Sequence, residues 1–309
     1  MAAAAVLVVA AVVAGALLQS DGSGAKAPPP APPLQLGALP GEPNARELIF
    51  AEREYERGER EAALREFRAI LRDDPASIEA AVGAALAAWP EGSLEGLRAL
   101  VELHPRSGVA RLHLGLALGA TGDRGGAERE WREAQARDPD TPAALEAESL
   151  LHPNLAPGRP FFVSTAQPPA SVQELGTVAQ DAALRRRAER GRVADWLVLG
   201  TFLQRIEKPV SAREAYDRAL ELAPESLEAQ VAAAVVRFDK DDPANAFSRL
   251  GPLARQHPRS SLVRFHLGLM LLWIRAVDEA EKQLELATQG NGQFHVRQAE
   301  DLLSRLSQI

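Results

Sequence analysis

The sequence predicts an all-α fold, a right-handed superhelical solenoid of about seven helical hairpins with a C-terminal capping helix. The first observation is a series of prolines, each followed two residues later by a hydroxyl side chain. The pairs are Pro75 with Ser77, Pro105 with Ser107, Pro139 with Thr141, Pro224 with Ser226, and Pro258 with Ser260. Successive prolines are 30, 34, 85 and 34 residues apart. A period near 34 residues is typical of stacked helical hairpins, because one hairpin cannot bury its apolar face alone.

The second observation is the local chemistry of each pair and the composition around it. Proline lacks a backbone N–H and crowds the preceding turn, so it ends a helix. The following Ser or Thr can then cap the next helix by accepting a hydrogen bond from a free amide. The apolar content of 46% consists mostly of Ala and Leu, which favours helix over sheet.

The third observation is a repeated string. The residues from His104 to Gly115 closely match those from His257 to Gly268, at an offset of 153 residues. That offset is four periods of 34 with 17 residues added, and the proline gap of 85 is two periods with the same addition. Both spacings predict a 17-residue insertion in the fourth hairpin.

The hairpins can be placed in chain order. The first is expected over residues 44–77, the second ends at Pro105 and is four residues short, and the third ends at Pro139. The fourth is expected to have its helices at 143–151 and 172–190, on either side of a Pro-rich insert at 155–171.

The remaining hairpins complete the solenoid. The fifth and sixth end at Pro224 and Pro258, and the seventh ends near Gly292. Residues 295–306 alternate charged and polar with apolar side chains, so they are expected to form the capping helix, which needs one polar and one apolar face.

Further positions fall into register when the hairpins are aligned on their prolines. The third carries Leu114-Gly115, Ala127, Trp131 and Ala134, and the fifth carries Leu199-Gly200, Ala212, Tyr216 and Ala219. This pattern resembles the tetratricopeptide repeat family over residues 44 to about 308. The resemblance implies a protein-binding scaffold without naming a partner. Heavy use of Ala, Arg, Gly and Pro further suggests a bacterium with a high-GC genome as the source, and the apolar run at residues 2–18 suggests a membrane-anchored member of the family.

The resemblance also implies which residues would line a concave groove, since first helices line it in that family. Carried over by register, the partner groove would consist of Leu112, Leu116, Leu197, Val231, Val235, Phe238, Phe265, Leu269, Leu272 and Trp273. An apolar groove suits an amphipathic helix or an extended apolar segment of another protein. Alternatively, the chain covers this surface itself, and Phe161, Phe162 and Val163 of the insert could act as a plug.

The N-terminus predicts a membrane segment and a linker. Residues 2–18 contain only Ala, Val, Leu and one Gly, which is at the short end of what spans a bilayer. A cleavable signal peptide is the alternative. We therefore expect an anchor or signal within 1–20, a Pro/Gly/Ala-rich tether at 21–43, and repeats over 44–154 and 172–309. Either interpretation places the repeats outside the cytoplasm, in a bacterial envelope or secreted.

Composition excludes several function classes. A net charge of −7 with interspersed signs gives no basic surface for nucleic acid. The chain has no cysteine, and its six histidines show no spacing typical of zinc ligands. His113 and His266 recur at the 153-residue offset, so they are interpreted as structural repeat positions. We expect no catalytic residue, no cofactor, no metal and no small-molecule substrate.

The resulting hypothesis is a non-catalytic scaffold, tethered to the envelope through residues 2–18, that binds apolar segments of other proteins in its groove. The alternative is a structural or self-assembling oligomer whose groove is occupied by its own insert.

Overall fold

A computed structural model describes residues 29–308. Within that range every named element of secondary structure is an α-helix. The described chain forms two compact units that meet in sequence between Pro153 and Asn154. The predicted all-α fold of TPR-like hairpins is therefore confirmed. Each unit is a stack of helices with its own buried core.

Unit 1 contains three hairpins and one further helix. Its helices are α1 Ala45–Glu56, α2 Arg60–Asp73, α3 Ile78–Ala87, α4 Ser93–Leu103, α5 Gly108–Ala120, α6 Arg124–Arg137 and α7 Pro142–Leu151. The hairpins are α1 with α2, α3 with α4, and α5 with α6, and α7 packs on the last pair.

Unit 2 has a similar plan with two helices ahead of it. Its helices are α8 Ala170–Gln173, α9 Thr177–Ala188, α10 Val193–Arg205, α11 Pro209–Leu222, α12 Leu227–Val235, α13 Pro243–Gln256, α14 Ser261–Trp273, α15 Val277–Thr288 and α16 Gln293–Leu306. The hairpins are α10 with α11, α12 with α13, and α14 with α15, and α16 packs on the last of them. The final helix lies at the expected capping position.

The proline–hydroxyl pairs act as predicted. Each hydroxyl accepts a hydrogen bond from the amide three residues later, at 3.2–3.4 Å, and each begins a first helix. The capping residues are Ser77, Ser107, Thr141, Ser226 and Ser260. The repeat is therefore set by local chemistry, which is why it could be detected in the sequence.

Glycines stand where the two helices of a hairpin touch most closely. Gly115 on α5 contacts the indole of Trp131 on α6, and Gly200 on α10 contacts the ring of Tyr216 on α11. A Cβ at either position would overlap the ring. These contacts set the spacing within each hairpin and thereby place the first helices side by side.

The fourth hairpin differs from expectation. Its proposed first helix, α7, belongs to unit 1, whereas α9 belongs to unit 2 and packs on α10. The proposed second helix is also divided, because a turn at 174–176 separates α8 from α9. The Pro-rich insert is long enough to let the chain start a second stack rather than close the hairpin.

The predicted tether also differs in part. Residues 29–38 have no regular secondary structure, as a Pro-rich composition favours, but they are packed on the helices of unit 1. The reason is that Leu34 and Leu36, which follow the run of prolines, are buried in the core of that unit.

Within residues 29–308 no helix is long and apolar enough to span a bilayer. The predicted anchor at 2–18 and its alternative, a signal peptide, lie outside the described residues.

Candidate functional site

Each unit holds an extended segment of the chain against the first helices of its hairpins. We call residues 29–38 strap 1 and residues 156–166 strap 2. Strap 1 precedes α1 and contacts unit 1, and strap 2 precedes α8 and contacts unit 2. The two segments have no regular secondary structure, so their backbone groups need partners from elsewhere.

Strap 1 is held at its N-terminal half by two aromatic side chains. The indole N–H of Trp89, which follows α3, donates to the carbonyl of Pro29 at 2.8 Å. The hydroxyl of Tyr55, near the end of α1, donates to the carbonyl of Pro32 at 2.6 Å. Burial raises the pKa of Tyr55 to about 12, so this hydroxyl remains a donor at neutral pH.

Two further side chains accept hydrogen bonds from backbone N–H groups of strap 1. His113 on α5 accepts the N–H of Gln35 at its Nε2, at 3.0 Å. Glu52 on α1 accepts the N–H of Leu36 at 2.9 Å. Burial raises the pKa of Glu52, and the amide hydrogen bond from Leu36 opposes that rise.

The side chains of strap 1 alternate between core and solvent. Pro32, Leu34 and Leu36 are buried, whereas Gln35 and Gly37 are exposed. Leu34 and Leu36 are 3% and 5% exposed and belong to the core of unit 1. This period of two is that of an extended chain packed on one face.

Strap 2 is held by Trp273, at the end of α14, in a similar way. The indole N–H of Trp273 donates to the carbonyl of Pro157 at 3.1 Å, and its own backbone carbonyl accepts the N–H of Ala156 at 2.9 Å. The ring of Phe161 lies edge-on to the same indole, with centroids 6.0 Å apart.

Two histidines bind the backbone of Val163. His266 on α14 accepts the Val163 N–H at Nε2, at 2.9 Å, and His295 on α16 donates from Nε2 to the Val163 carbonyl, also at 2.9 Å. Both polar backbone groups of this residue are therefore satisfied. Burial lowers the pKa of His266 to about 3, with the neighbouring His295 adding to the effect.

Phe162 is the most deeply inserted side chain of strap 2. It is 1% exposed, stacks on His266 at 5.0 Å between centroids, and lies edge-on to Tyr216 at 5.5 Å. Its amide donates to the side chain of Gln204 at 3.1 Å, and the Tyr216 hydroxyl donates to the same oxygen.

Glu228, near the start of α12, binds the C-terminal half of strap 2. One of its carboxylate oxygens accepts the Thr165 N–H at 3.0 Å, the Thr165 hydroxyl at 3.0 Å and the Ser164 hydroxyl at 3.1 Å. Side chains from α10, α12, α14 and α16 thus all contact this strap.

His113 and His266 occupy equivalent positions, 153 residues apart. Each donates Nδ1–H to the carbonyl four residues earlier in its own helix, at 2.7 Å. A neutral imidazole has one donor and one acceptor nitrogen, so Nε2 is left to accept the strap amide. Complete burial lowers the pKa of His113 to about 4, which keeps the ring neutral.

The residues predicted to line a partner groove are mostly inside the two cores. Leu112, Leu116, Leu197, Val231, Val235, Phe238, Phe265, Leu269 and Trp273 are buried, and Leu272 is half-buried. Of these, Trp273 contacts strap 2 directly. The predicted plug, Phe161 to Val163, lies against Trp273, His266 and His295.

Sequence reasoning missed several residues that contact the straps. The omitted residues are Glu52, Tyr55, Trp89, Glu228 and His295, and His113 and His266 were interpreted as structural repeat positions rather than as strap contacts. The recurrence of the two histidines on equivalent first helices was a usable signal. The alternation in Pro32-Pro33-Leu34-Gln35-Leu36 was a second one, since a free linker has no reason to alternate.

Among residues 29–308, no group of three His, Asp or Glu side chains is placed to hold a metal ion. The polar side chains of the grooves are instead paired with strap backbone. The arrangement can bind an extended peptide through its main chain and select its alternate side chains by burial.

No protein-family model matches the chain, and no curated protein sequence is similar to it. Among solved structures, a tetratricopeptide repeat protein from Parabacteroides merdae is 12% identical. The match covers 84% of this chain and 96% of that one, with a TM-score of 0.33.

Two further solved structures show the same level of likeness. A thermophilic TPR protein from Thermus thermophilus is 20% identical over 63% of this chain and 98% of its own, with a TM-score of 0.30. Yeast Tom70 is 14% identical in a match that covers 80% of this chain and 50% of the Tom70 chain, with a TM-score of 0.33. These values carry no argument about function, so the fold rests on the helices described above.

The first prediction concerns the bond between Gln35 and His113. The change Gln35→Pro removes the amide hydrogen and leaves the buried Nε2 of His113 unpaired, which costs about 1–3 kcal/mol. The matched change Gln35→Ala keeps the amide and trims only an exposed side chain, with an effect within about 0.5 kcal/mol. Urea unfolding followed by tryptophan fluorescence measures both, and equal midpoints would show that this bond does not hold strap 1.

The second prediction concerns pH. His113 has a lowered pKa of about 4 in the folded chain, whereas an unfolded histidine titrates near pH ~6.5. Between these values only the unfolded state binds the proton, so stability is lost as pH falls from about 6.5 to 4. The loss is up to about 1.4 kcal/mol per pH unit.

The change His113→Gln isolates this contribution. Its stability should fall less steeply than that of the native chain over the same pH range, as measured by urea unfolding at several pH values. Glu52, whose pKa is raised by burial, acts in the opposite direction in both proteins and therefore cancels in the comparison. Parallel curves for the two proteins would contradict the assignment.

Proposed function

We propose that the protein is a non-catalytic protein-interaction scaffold in which each unit is a peptide-binding module. The straps are the bound ligands of the state described here. The observation that carries this proposal is a set of hydrogen bonds to the strap backbone that both units share. In each unit an indole N–H donates to a proline carbonyl of the strap, and an imidazole Nε2 accepts a strap amide N–H. Main-chain bonds with burial of alternate side chains are how proteins bind extended peptides.

The histidines support binding rather than catalysis. His113 and His266 have lowered pKa values, which in other proteins can mark a general base. Here both ring nitrogens of each are engaged, one by its own helix and one by the strap. Such a ring holds a main-chain amide in place.

The alternative function is self-assembly, in which a strap of one molecule occupies a unit of another. The self-occupied grooves favour it, because the same bonds would form between two copies. It requires a molecular mass that increases with protein concentration in light scattering, and a constant monomer mass would remove it.

Attachment to a bacterial envelope through residues 2–18 is also part of the proposal, supported by the apolar run in the sequence. The third prediction is that deleting 2–18 moves the expressed protein from the membrane fraction to the soluble fraction. Equal membrane recovery of the full chain and the deletion would contradict this attachment.

The fourth prediction tests the peptide-binding proposal in the full-length chain. The change Leu34→Asp places a charge at a buried strap position, so strap 1 should leave unit 1 and open the groove. Gln35→Asp adds the same charge at the adjacent exposed position and is the matched control. The probe is a fluorescent peptide with the sequence of residues 28–40.

Fluorescence anisotropy should show that the Leu34→Asp protein binds this peptide at least about tenfold more tightly than the native chain or the Gln35→Asp protein. In the native chain the attached strap competes with the peptide for the groove at an effective concentration of the order of millimolar, and this competition weakens the apparent binding of the peptide. Circular dichroism checks that the helices persist. A folded Leu34→Asp protein without peptide binding would refute the proposal.

A further inference from the structure

The two straps differ in sequence, but the same two kinds of hydrogen bond hold each of them at the same spacing along the strap, which we call the shared frame. In each, the proline carbonyl that accepts an indole N–H lies six residues before the amide bound by imidazole, as Pro29 does before Gln35 and Pro157 before Val163. The frame therefore relates strap 1 to strap 2 by a constant shift of 128 residues.

Within this frame the two straps also share their burial pattern. A second proline, three residues after the first, is buried in both, as Pro32 and Pro160. The residue two further on is buried and apolar, as Leu34 and Phe162. The positions next to it are less buried in both straps, so the groove selects alternate side chains.

The shared frame does not come from inherited positions alone. His113 and His266 are equivalent in the repeat, but Trp89 follows α3, in the hairpin before the one that carries His113, whereas Trp273 ends α14, the helix that carries His266. Tryptophans of hairpins that do not correspond thus supply the same bond to the same strap position. What the two units have in common is therefore the polar backbone of the bound segment, whose proline carbonyl needs a hydrogen-bond donor at this position.

Proline suits the buried positions for physical reasons. It has no N–H that would remain unpaired on burial, and it restricts the free segment to extended conformations, which reduces the entropy lost on binding. Its carbonyl still accepts the hydrogen bonds that Tyr55 and the tryptophans donate.

Strap 1 makes the weaker set of contacts and is the one suited to exchange. Strap 2 inserts a phenylalanine between His266 and Tyr216, and His295 binds the carbonyl of Val163 in addition. Strap 1 inserts leucines instead.

From this comparison we propose that unit 1 takes, in exchange for strap 1, an extended segment of another protein with a defined pattern. That segment has two prolines three residues apart and a buried apolar side chain two residues after the second proline, which both straps share. A second leucine-sized side chain follows four residues after that proline, as Leu36 does in strap 1, where strap 2 has the buried Ser164. This inference rests on the proposed function and specifies the partner class of the same groove.

The test uses the full-length Leu34→Asp protein and labelled peptides in fluorescence anisotropy. The peptides are the sequence of residues 28–40, the same sequence with Leu34→Asp, the same with Gln35→Asp, and a shuffled sequence. The pattern predicts equal binding of the first and the Gln35→Asp peptide. It predicts a loss of more than about tenfold for the Leu34→Asp and shuffled peptides, because each would place an unsuitable group in the buried position.

The outcomes separate the two levels of the proposal. Absence of binding by all peptides would refute the proposed function itself. Equal binding of all four would overturn the pattern and leave the scaffold function standing. The Gln35→Pro protein, which opens strap 1 by removing an amide, receives the same panel, so that a folding defect in one variant does not decide the result.

Light scattering of the native chain addresses the competing occupant. A dimer that forms with increasing concentration and is absent from the Leu34→Asp protein would identify a second copy as the occupant and overturn the proposal of a foreign segment. A monomer under the same conditions supports it.

Discussion

Burying an extended segment requires a partner for each of its polar backbone groups, and this constraint governs both units. A helix pairs most of its own N–H and C=O groups, whereas an extended segment depends mainly on partners outside itself. The partners are side chains on or beside the first helices, and the imidazole–amide bond is the one that both units share at equivalent positions. The hairpin stack is what brings these side chains, far apart in sequence, to one face.

The same constraint explains the protonation states. An imidazole accepts an amide hydrogen only while Nε2 is unprotonated, and burial keeps the pKa of both histidines low. The Nδ1–H bond to the helix carbonyl fixes the tautomer and the ring orientation. Packing and hydrogen bonding therefore favour the same state, a neutral ring directed at the strap.

The fold could be predicted because its signals are local. A proline and a hydroxyl two residues later define a helix end and a helix start without reference to the rest of the chain. The hydrogen bonds that hold the straps could not be predicted, because their partners are distant in sequence. Gln35 and His113 are 78 residues apart, and Val163 and His266 are 103 residues apart. Composition alone describes residues 29–38 as a linker, and only the alternation of Leu34 and Leu36 indicates a packed segment. The insert at 155–171, which contains Phe161 to Val163, can be detected in the sequence because it interrupts the repeat, whereas strap 1 lies ahead of the repeats and interrupts none of them.

Hydrogen exchange of the native full-length chain tests the central claim that both straps are bound through their backbone. The amides of Gln35 and Leu36, and those of Val163 and Thr165, should exchange on the order of 100-fold more slowly than in the free strap peptides, since opening would break these bonds. Exchange of these amides at the rate of the free peptides would contradict the account.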